Sequence, residues 1–264
     1  MPLKLYPAVP ADAGRIADIH MAAFSSNAML LAQFPTPVVR EGLRESIRKK
    51  ALADIDDPKI TVLVVRETAP DCDPSRPGDD AGRDLAEHQP REGKVEAGKV
   101  IAFAKWSHPV KKGEEYEEAA WIWPPGTNMS VLESWGRATE EAQEEAMGGQ
   151  PCYRKFSRTQ DRHYSYYALL KYSFRAYLGL TFMGTDPPYE RQGAASMMVR
   201  WGLEECQKNS VPGYLESTLN AAALYEKMGF VMFRKISLRY YLSNDRSQDE
   251  VYEEIAFMYH PDSS

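Results

Sequence analysis

The chain is poor in cysteine. Cys72, Cys152 and Cys206 are three in 264 residues, an odd and scattered set that gives no disulfide framework and no paired metal-ligand spacing. A reducing, intracellular setting follows. No apolar run approaches the roughly 20 residues of a bilayer span, and the N-terminal segment lacks a basic region followed by a hydrophobic core. The expectation is a soluble, unprocessed, cytoplasmic protein with no membrane partner. Positive charge is also in deficit: 32 Lys and Arg stand against 38 Asp and Glu, a net charge of −6. This argues against a nucleic-acid surface and leaves room for a local site for an anionic ligand. Aromatic side chains are missing from Glu67 to Ala97, where Pro70, Asp71, Asp73, Pro74, Pro77, Asp79 and Asp80 dominate the first half. With so little apolar material to offset ordering entropy, 68–97 is expected to be a mobile loop within the domain.

What is present can build a sizeable core. Hydrophobic residues make up 43% of the chain, consistent with one domain over 1–264 that carries insertions. Leu3 to Ala8 reads as a strand, and Pro10-Ala11-Asp12 opens a helix with Ile16, Ile19, Ala23 and Phe24 on one face and His20 beside it. Thr36-Pro37 supplies a cap and first-turn proline for a helix bearing Val39, Leu43 and Ile47. Between these helices Met29, Leu30, Leu31 and Phe34 suit either a pocket wall or ordinary core. Ile60–Arg66 and Lys99–Ser107 are apolar strands expected to pair antiparallel, since a long connection adds little closure entropy. An insertion over 108–175 then brings Trp121-Ile122-Trp123 and a helix whose capping box is assigned to Ser130 and Glu133. Glu140, Glu141, Glu144 and Glu145 give that helix a solvated face. The aromatics from Tyr153 to Phe174 either pack over the sheet or offer ring faces to an amine. Gly213–Thr218 reads as a strand and Leu219–Met228 as a helix stopped by Gly229. Strands over Phe230–Tyr241 and Val251–Tyr259 complete the chain.

The chain is organised around Leu178 to Cys206. Leu178, Leu180 and Phe182 alternate with Gly179, Thr181 and Met183, the pattern of a strand with two different faces. Asp186-Pro187-Pro188 ends it. Ala194, Met197, Met198 and Trp201 then recur at helical spacing, with Val199, Leu203 and Cys206 as a second apolar side. Where this helix begins, side chains shrink to Gly193, Ala194 and Ala195, so unpaired backbone amides and the helix dipole are open to an anion such as phosphate. Close packing would select the same small residues.

The segment Pro187-Pro188-Tyr189-Glu190-Arg191-Gln192-Gly193-Ala194-Ala195-Ser196 resembles the acyl-CoA pyrophosphate loop of the GNAT superfamily of N-acetyltransferases, with Gly193 and Ala195 at its small positions. Glu190 departs from it, standing where Gln or Arg is usual. Downstream, Ala221-Ala222-Ala223-Leu224-Tyr225-Glu226-Lys227-Met228-Gly229-Phe230 is similar to the family's Ala-x-x-Leu-Tyr-x-Lys-x-Gly-Phe segment. Trp121-Ile122-Trp123-Pro124, a helix, and Met147-Gly148-Gly149 more loosely resemble an arrangement in fungal members. The resemblance implies an α/β GNAT fold, a mixed and mostly antiparallel central sheet flanked by helices. It also implies transfer of an acetyl group from acetyl-CoA to a primary amine of a small molecule or protein. A catalytically weak acyl-CoA-binding module is the alternative; a dinucleotide fold is poorer, because the loop lacks three spaced glycines.

The resemblance further implies that Met183, Gly184 and Thr185 run alongside the pantetheine, Gly184 allowing close approach. Arg191, Gln192, Gly193, Ala194, Ala195 and Ser196 then receive the pyrophosphate, with Asn220 nearby. Tyr225 matches the residue that protonates the departing thiolate; a packed helical tyrosine would look the same. The family's strand Glu is replaced by Gly179 and its Asn by Thr218. Glu216 is therefore the candidate base, acting directly, through water, or pointing instead to solvent.

Overall fold

Apolar periodicity resolves into seven strands and six helices in the computed structural model, which describes residues 2–68, 98–111, 113–146, 176–241 and 249–261. The tract 69–97 and the aromatics from Tyr153 to Phe174 lie outside the described residues. In chain order the elements are β1 (Leu3–Pro7), α1 (Ala13–Ala23), α2 (Ala28–Gln33), α3 (Pro37–Ile55), β2 (Ile60–Glu67), β3 (Lys99–Ser107) and α4 (Met129–Ala146). They continue with β4 (Leu178–Thr185), α5 (Ala194–Asn209), β5 (Gly213–Thr218), α6 (Ala222–Lys227), β6 (Val231–Tyr241) and β7 (Asp249–Tyr259). The strands form one sheet in the order β1-β2-β3-β4-β5-β7-β6. Only the β4–β5 pair is parallel, because α5 provides the crossover between them.

Helices cover both sheet faces. On one face α5 and α6 pack over Leu63, Val65, Ala104, Trp106, Leu178 and Phe257. Gly202 brings α5 close, since a Cβ there would stand 2.2 Å from the Trp106 ring. On the other face α1 and α3 cover Val62, Val64, Val100 and Phe103, while α4 lies over Tyr214, Ile236, Ala256 and Met258. Thr36 caps α3, its hydroxyl accepting from the Val39 amide at 3.3 Å, with Pro37 in the first turn as expected. The helix α4 starts differently from its sequence reading. Asn128 is its cap, accepting from Val131 at 3.4 Å, and Ser130 lies inside the first turn. The helix read as Leu219–Met228 also begins later, at Ala222.

The register of β3 with β4 skips one residue. Lys105 faces Phe182 and Trp106 faces Leu180, leaving Thr181 as a β-bulge whose hydroxyl donates to the Lys105 carbonyl at 3.2 Å. This overturns the simple alternation expected for the strand. Leu178 and Leu180 pack under α5, but past the bulge Phe182 turns to the α1 face against His20, with ring centroids 5.3 Å apart. A bulge changes face parity without interrupting the apolar pattern, so the sequence does not show it.

Candidate active site

The parallel ladder of β4 with β5 ends after three residue pairs, Leu178–Gly213, Gly179–Tyr214 and Leu180–Leu215. From Thr181 on β4 and Glu216 on β5 onward the strands no longer pair with each other. The bulge turns β4 away, and a gap opens through the sheet. Two cavities meet at this gap, sharing Phe24, Asn27, Met183, Thr218, Ala221, Tyr225 and Tyr252.

The larger cavity, about 950 Å³, runs from β4 to the start of α5. Met183, Gly184, Thr185, Arg191, Gly193, Ala194, Ala195, Ser196 and Asn220 all line it, as does Glu190. Gln192, read as a ligand for the pyrophosphate, is exposed and does not line it. Gly193 is the N-cap of α5 at φ 95°, without a side-chain cap. A Cβ there would meet nothing within 4 Å, because it would project into open space beside the first-turn amides. Left-handed backbone thus leaves those N–H groups uncovered for an anion. Arg191 also takes a left-handed conformation, at φ 59°, a cost that a non-glycine residue bears only where the surroundings impose it. Gly184, which lines the cleft, also has a packing reason to be small. A Cβ on it would stand 2.9 Å from Phe103, so packing against the α1 face requires the glycine there.

The second cavity, about 370 Å³, lies on the opposite face. Its floor includes Phe182, Glu216, Thr218 and Glu254. The β5–β7 register pairs Glu216 with Ala256 and Thr218 with Glu254, so the two glutamates are diagonal neighbours on one face. Gln143 of α4 and the Tyr214 hydroxyl each donate to Glu216 at 3.0 Å. Tyr252 donates to Glu254 at 2.6 Å and accepts from Asn27 Nδ2 at 2.8 Å, which ties this carboxylate to the loop between α1 and α2. Burial raises Glu216 to about 7, partly opposed by its hydrogen bonds and reinforced by Glu254. Burial likewise raises Glu254 to about 7. His20 shares the cavity, and burial lowers it to about 4, so it is neutral near pH 7. Sequence reading placed Glu216 among alternatives that included solvent; the fold turns it into the cavity. Glu254 was missed. Nothing in the sequence sets it apart from Asp249, Glu250 and Glu253 of the same strand, and β7 gains its meaning from insertion beside β5.

Tyr225 lies across the gap. It is 4% exposed, sits in the core under α6 with Phe230 and Phe257, and lines both cavities. Its hydroxyl has no hydrogen-bond partner among the described residues. Burial, then the charge of Glu254, pushes its pKa well above the usual phenol value, so the side chain keeps its proton.

Residues 115–230 match the Acetyltransferase (GNAT) family. No curated protein matches the chain. Among solved structures, the C-terminal condensation domain of Ebony in complex with beta-alanyl-dopamine is 11% identical. That alignment covers 98% of this chain and 99% of the domain, with a TM-score of 0.55. A histone acetyltransferase HPA2 and related acetyltransferase from Corynebacterium glutamicum is 18% identical, with 100% and 99% covered and a TM-score of 0.49. The PaiA N-acetyltransferase from Thermoplasma acidophilum, solved in complex with coenzyme A, is 8% identical, with 98% and 99% covered and a TM-score of 0.47. The family match spans the bulged strand, the start of α5 and the Tyr225 helix, and the mixed, mostly antiparallel seven-stranded sheet opened between β4 and β5 and flanked by helices is the GNAT fold.

Proposed function

We propose that the protein transfers an acetyl group from acetyl-CoA to a primary amine. The observation that supports this most is the gap between β4 and β5, which joins an anion-accepting cleft to a carboxylate-lined cavity at Tyr225. The cleft fits the cosubstrate because Gly193 is left-handed with open space above it, and Arg191 lines the same wall. The first-turn amides of α5 hold the pyrophosphate, and β4 from Met183 to Thr185 guides the arm toward the gap. When bound, acetyl-CoA supplies an activated thioester carbonyl.

The chain's residues handle the protons. An amine reaches the cavity mostly as an ammonium ion and must lose a proton before it can attack. Glu254 and Glu216, raised to about 7, have the affinity to accept that proton near neutrality. As the C–N bond forms and the C–S bond breaks, the nitrogen loses a second proton and the sulfur gains one. The balance is an amide, a CoA thiol and one proton released. Because Tyr225 holds its own proton tightly, it passes one to sulfur while taking up the proton that nitrogen sheds, without forming a free tyrosinate.

A weak acyl-CoA-binding module is the second reading, favoured by one feature: Glu190 places a carboxylate on the wall of the cleft meant for a polyphosphate. Incubation with acetyl-CoA and an amine panel, with thiol detection of CoA, separates the two. Amine-dependent CoA release supports transfer; CoA binding without release leaves the module.

A further inference from the structure

The acceptor cavity has an uneven distribution of polarity. At the β5–β7 end stand Glu216 and Glu254, whose hydrogen-bond partners among the described residues are the neutral groups of Gln143, Tyr214 and Tyr252. Among the described residues, no lysine or arginine lines the cavity, and His20 is held neutral. Two carboxylates removed from bulk water with no protein cation beside them form a site for a cationic ligand.

Away from that end the lining changes to rings. Trp121 and Trp123 stack at 4.9 Å with 5° between their planes, and Trp121 meets Phe182 edge-on at 5.9 Å. Across the cavity Trp135 meets Tyr252 at 5.0 Å. Leu43 and Ile47 lie beyond the tryptophans, and no further acidic residue is present in the lining. The walls come from α1, α2, α4 and the segment 113–127, enclosing a volume in the range of small-molecule sites. The second ammonium of a polyamine would find no carboxylate to pair with at that end.

From this arrangement we infer that the acceptor is a small monoamine on a flat, aromatic body, its ammonium held at Glu216 and Glu254 and its ring between the Trp121–Phe182 and Trp135–Tyr252 walls. The inference deepens the acetyl-transfer reading and rests on it for the word acceptor. Ring faces satisfy the body by dispersion and by attraction to the partly positive edge of a second ring. The carboxylates orient the nitrogen toward the gap where Tyr225 stands.

The test uses the full chain, with and without saturating CoA, and follows calorimetric titration and thermal shift with four probes. These are 2-phenylethylamine, 2-phenylethanol, spermidine and a lysine-containing peptide. The amine is expected to bind roughly tenfold or more tightly than the alcohol, which has the same body without the cation. It should also bind more tightly than spermidine or the peptide. Glu216→Gln with Glu254→Gln should erase the preference of amine over alcohol, and the alcohol comparison on the native chain holds even where that variant fails to fold. Equal binding of amine and alcohol, or tighter binding of spermidine or peptide, overturns the inference. Acetyl-CoA turnover provides the second readout. CoA release with spermidine or peptide but not phenylethylamine overturns the small aromatic acceptor while leaving acetyl transfer intact. Phenylethylamine bound at the carboxylates with no CoA release from any amine supports the amine site and defeats the transfer reading.

Discussion

Tyr225 and the two glutamates have opposite demands. A buried phenol keeps its proton and can deliver it, so Tyr225→Phe should lower kcat by about 100-fold while the acceptor KM changes little. Steady-state kinetics with the best amine of the panel checks it, and unchanged turnover would remove the hydroxyl from the reaction. The glutamates give a pH effect whose sign follows from the direction of their shifts. Their folded values, near 7, lie above the ordinary value of 4.5, so the fold favours the neutral carboxyl. The stability they contribute is present below about pH 4.5 and is lost as pH rises through 7. His20 acts the other way, being lowered from 6.5 to about 4: its contribution is present above 6.5 and lost as pH falls toward 4. Because His20 is common to both proteins, comparison with Glu254→Gln isolates the carboxyl. The variant should gain roughly 1–3 kcal/mol relative to the native chain between pH 5 and pH 8, read by urea denaturation at each pH. The same ionisation should make the native kcat/KM rise with pH through about 7, a limb that Glu216→Gln with Glu254→Gln flattens. Tyr225 was legible in the sequence because it lies in a local pattern. Glu254 was not, because its role depends on which strand sits beside it.

At the scale of elements, two glycines of α5 have different work. Gly193 caps the helix with left-handed backbone and open space above it, whereas Gly202 lies against Trp106. Gly193→Ala should cost about 1–2 kcal/mol of stability, from backbone strain, yet weaken CoA binding tenfold or more by placing a side chain beside the amides. Gly202→Ala should do the reverse. Overpacking against Trp106 should cost about 1–3 kcal/mol while the properly folded fraction keeps its CoA affinity. Thermal denaturation beside CoA titration decides both, and a variant of Gly193 that binds CoA normally would locate the pyrophosphate elsewhere. The sequence marked the turn before α5 as small, a local property of the chain. It could not show that Gly184 is required by Phe103, or that Thr181 bulges, since both follow from the register of β3 against β4.

Across the whole molecule, a buried charge cluster joins the sheet to the tryptophan wall of the smaller cavity. Glu118 pairs with Lys105 at 2.6 Å and Lys50 at 2.8 Å, and Asp54 pairs with both lysines, at 2.9 Å to Lys105. Burial opposes ionisation of Glu118, but Lys105 and Lys50 outweigh it and hold its carboxyl at about 2. This fastens the segment 113–127, and with it Trp121 and Trp123, to β3 and α3. Glu118→Gln leaves two buried lysines sharing one carboxylate, and should destabilise the protein by about 3 kcal/mol. It should also raise the acceptor KM more than it lowers kcat, as denaturation and kinetics can show together; an unchanged KM would mean the tryptophans are held by packing and by the remaining polar contacts of the segment, such as Ser46 with the Ile122 carbonyl. By itself the sequence determined most of the strands and helices, the bounded turn before α5 and the Leu-Tyr segment, because apolar period, caps and short motifs are set by neighbours along the chain. Only the tertiary structure decided that β7 enters between β5 and β6, that β4 and β5 part after Leu180, and that Glu216, Glu254 and Tyr225 meet across that opening. Those outcomes depend on pairing between segments far apart in the chain, where one residue of register moves a side chain to the other face.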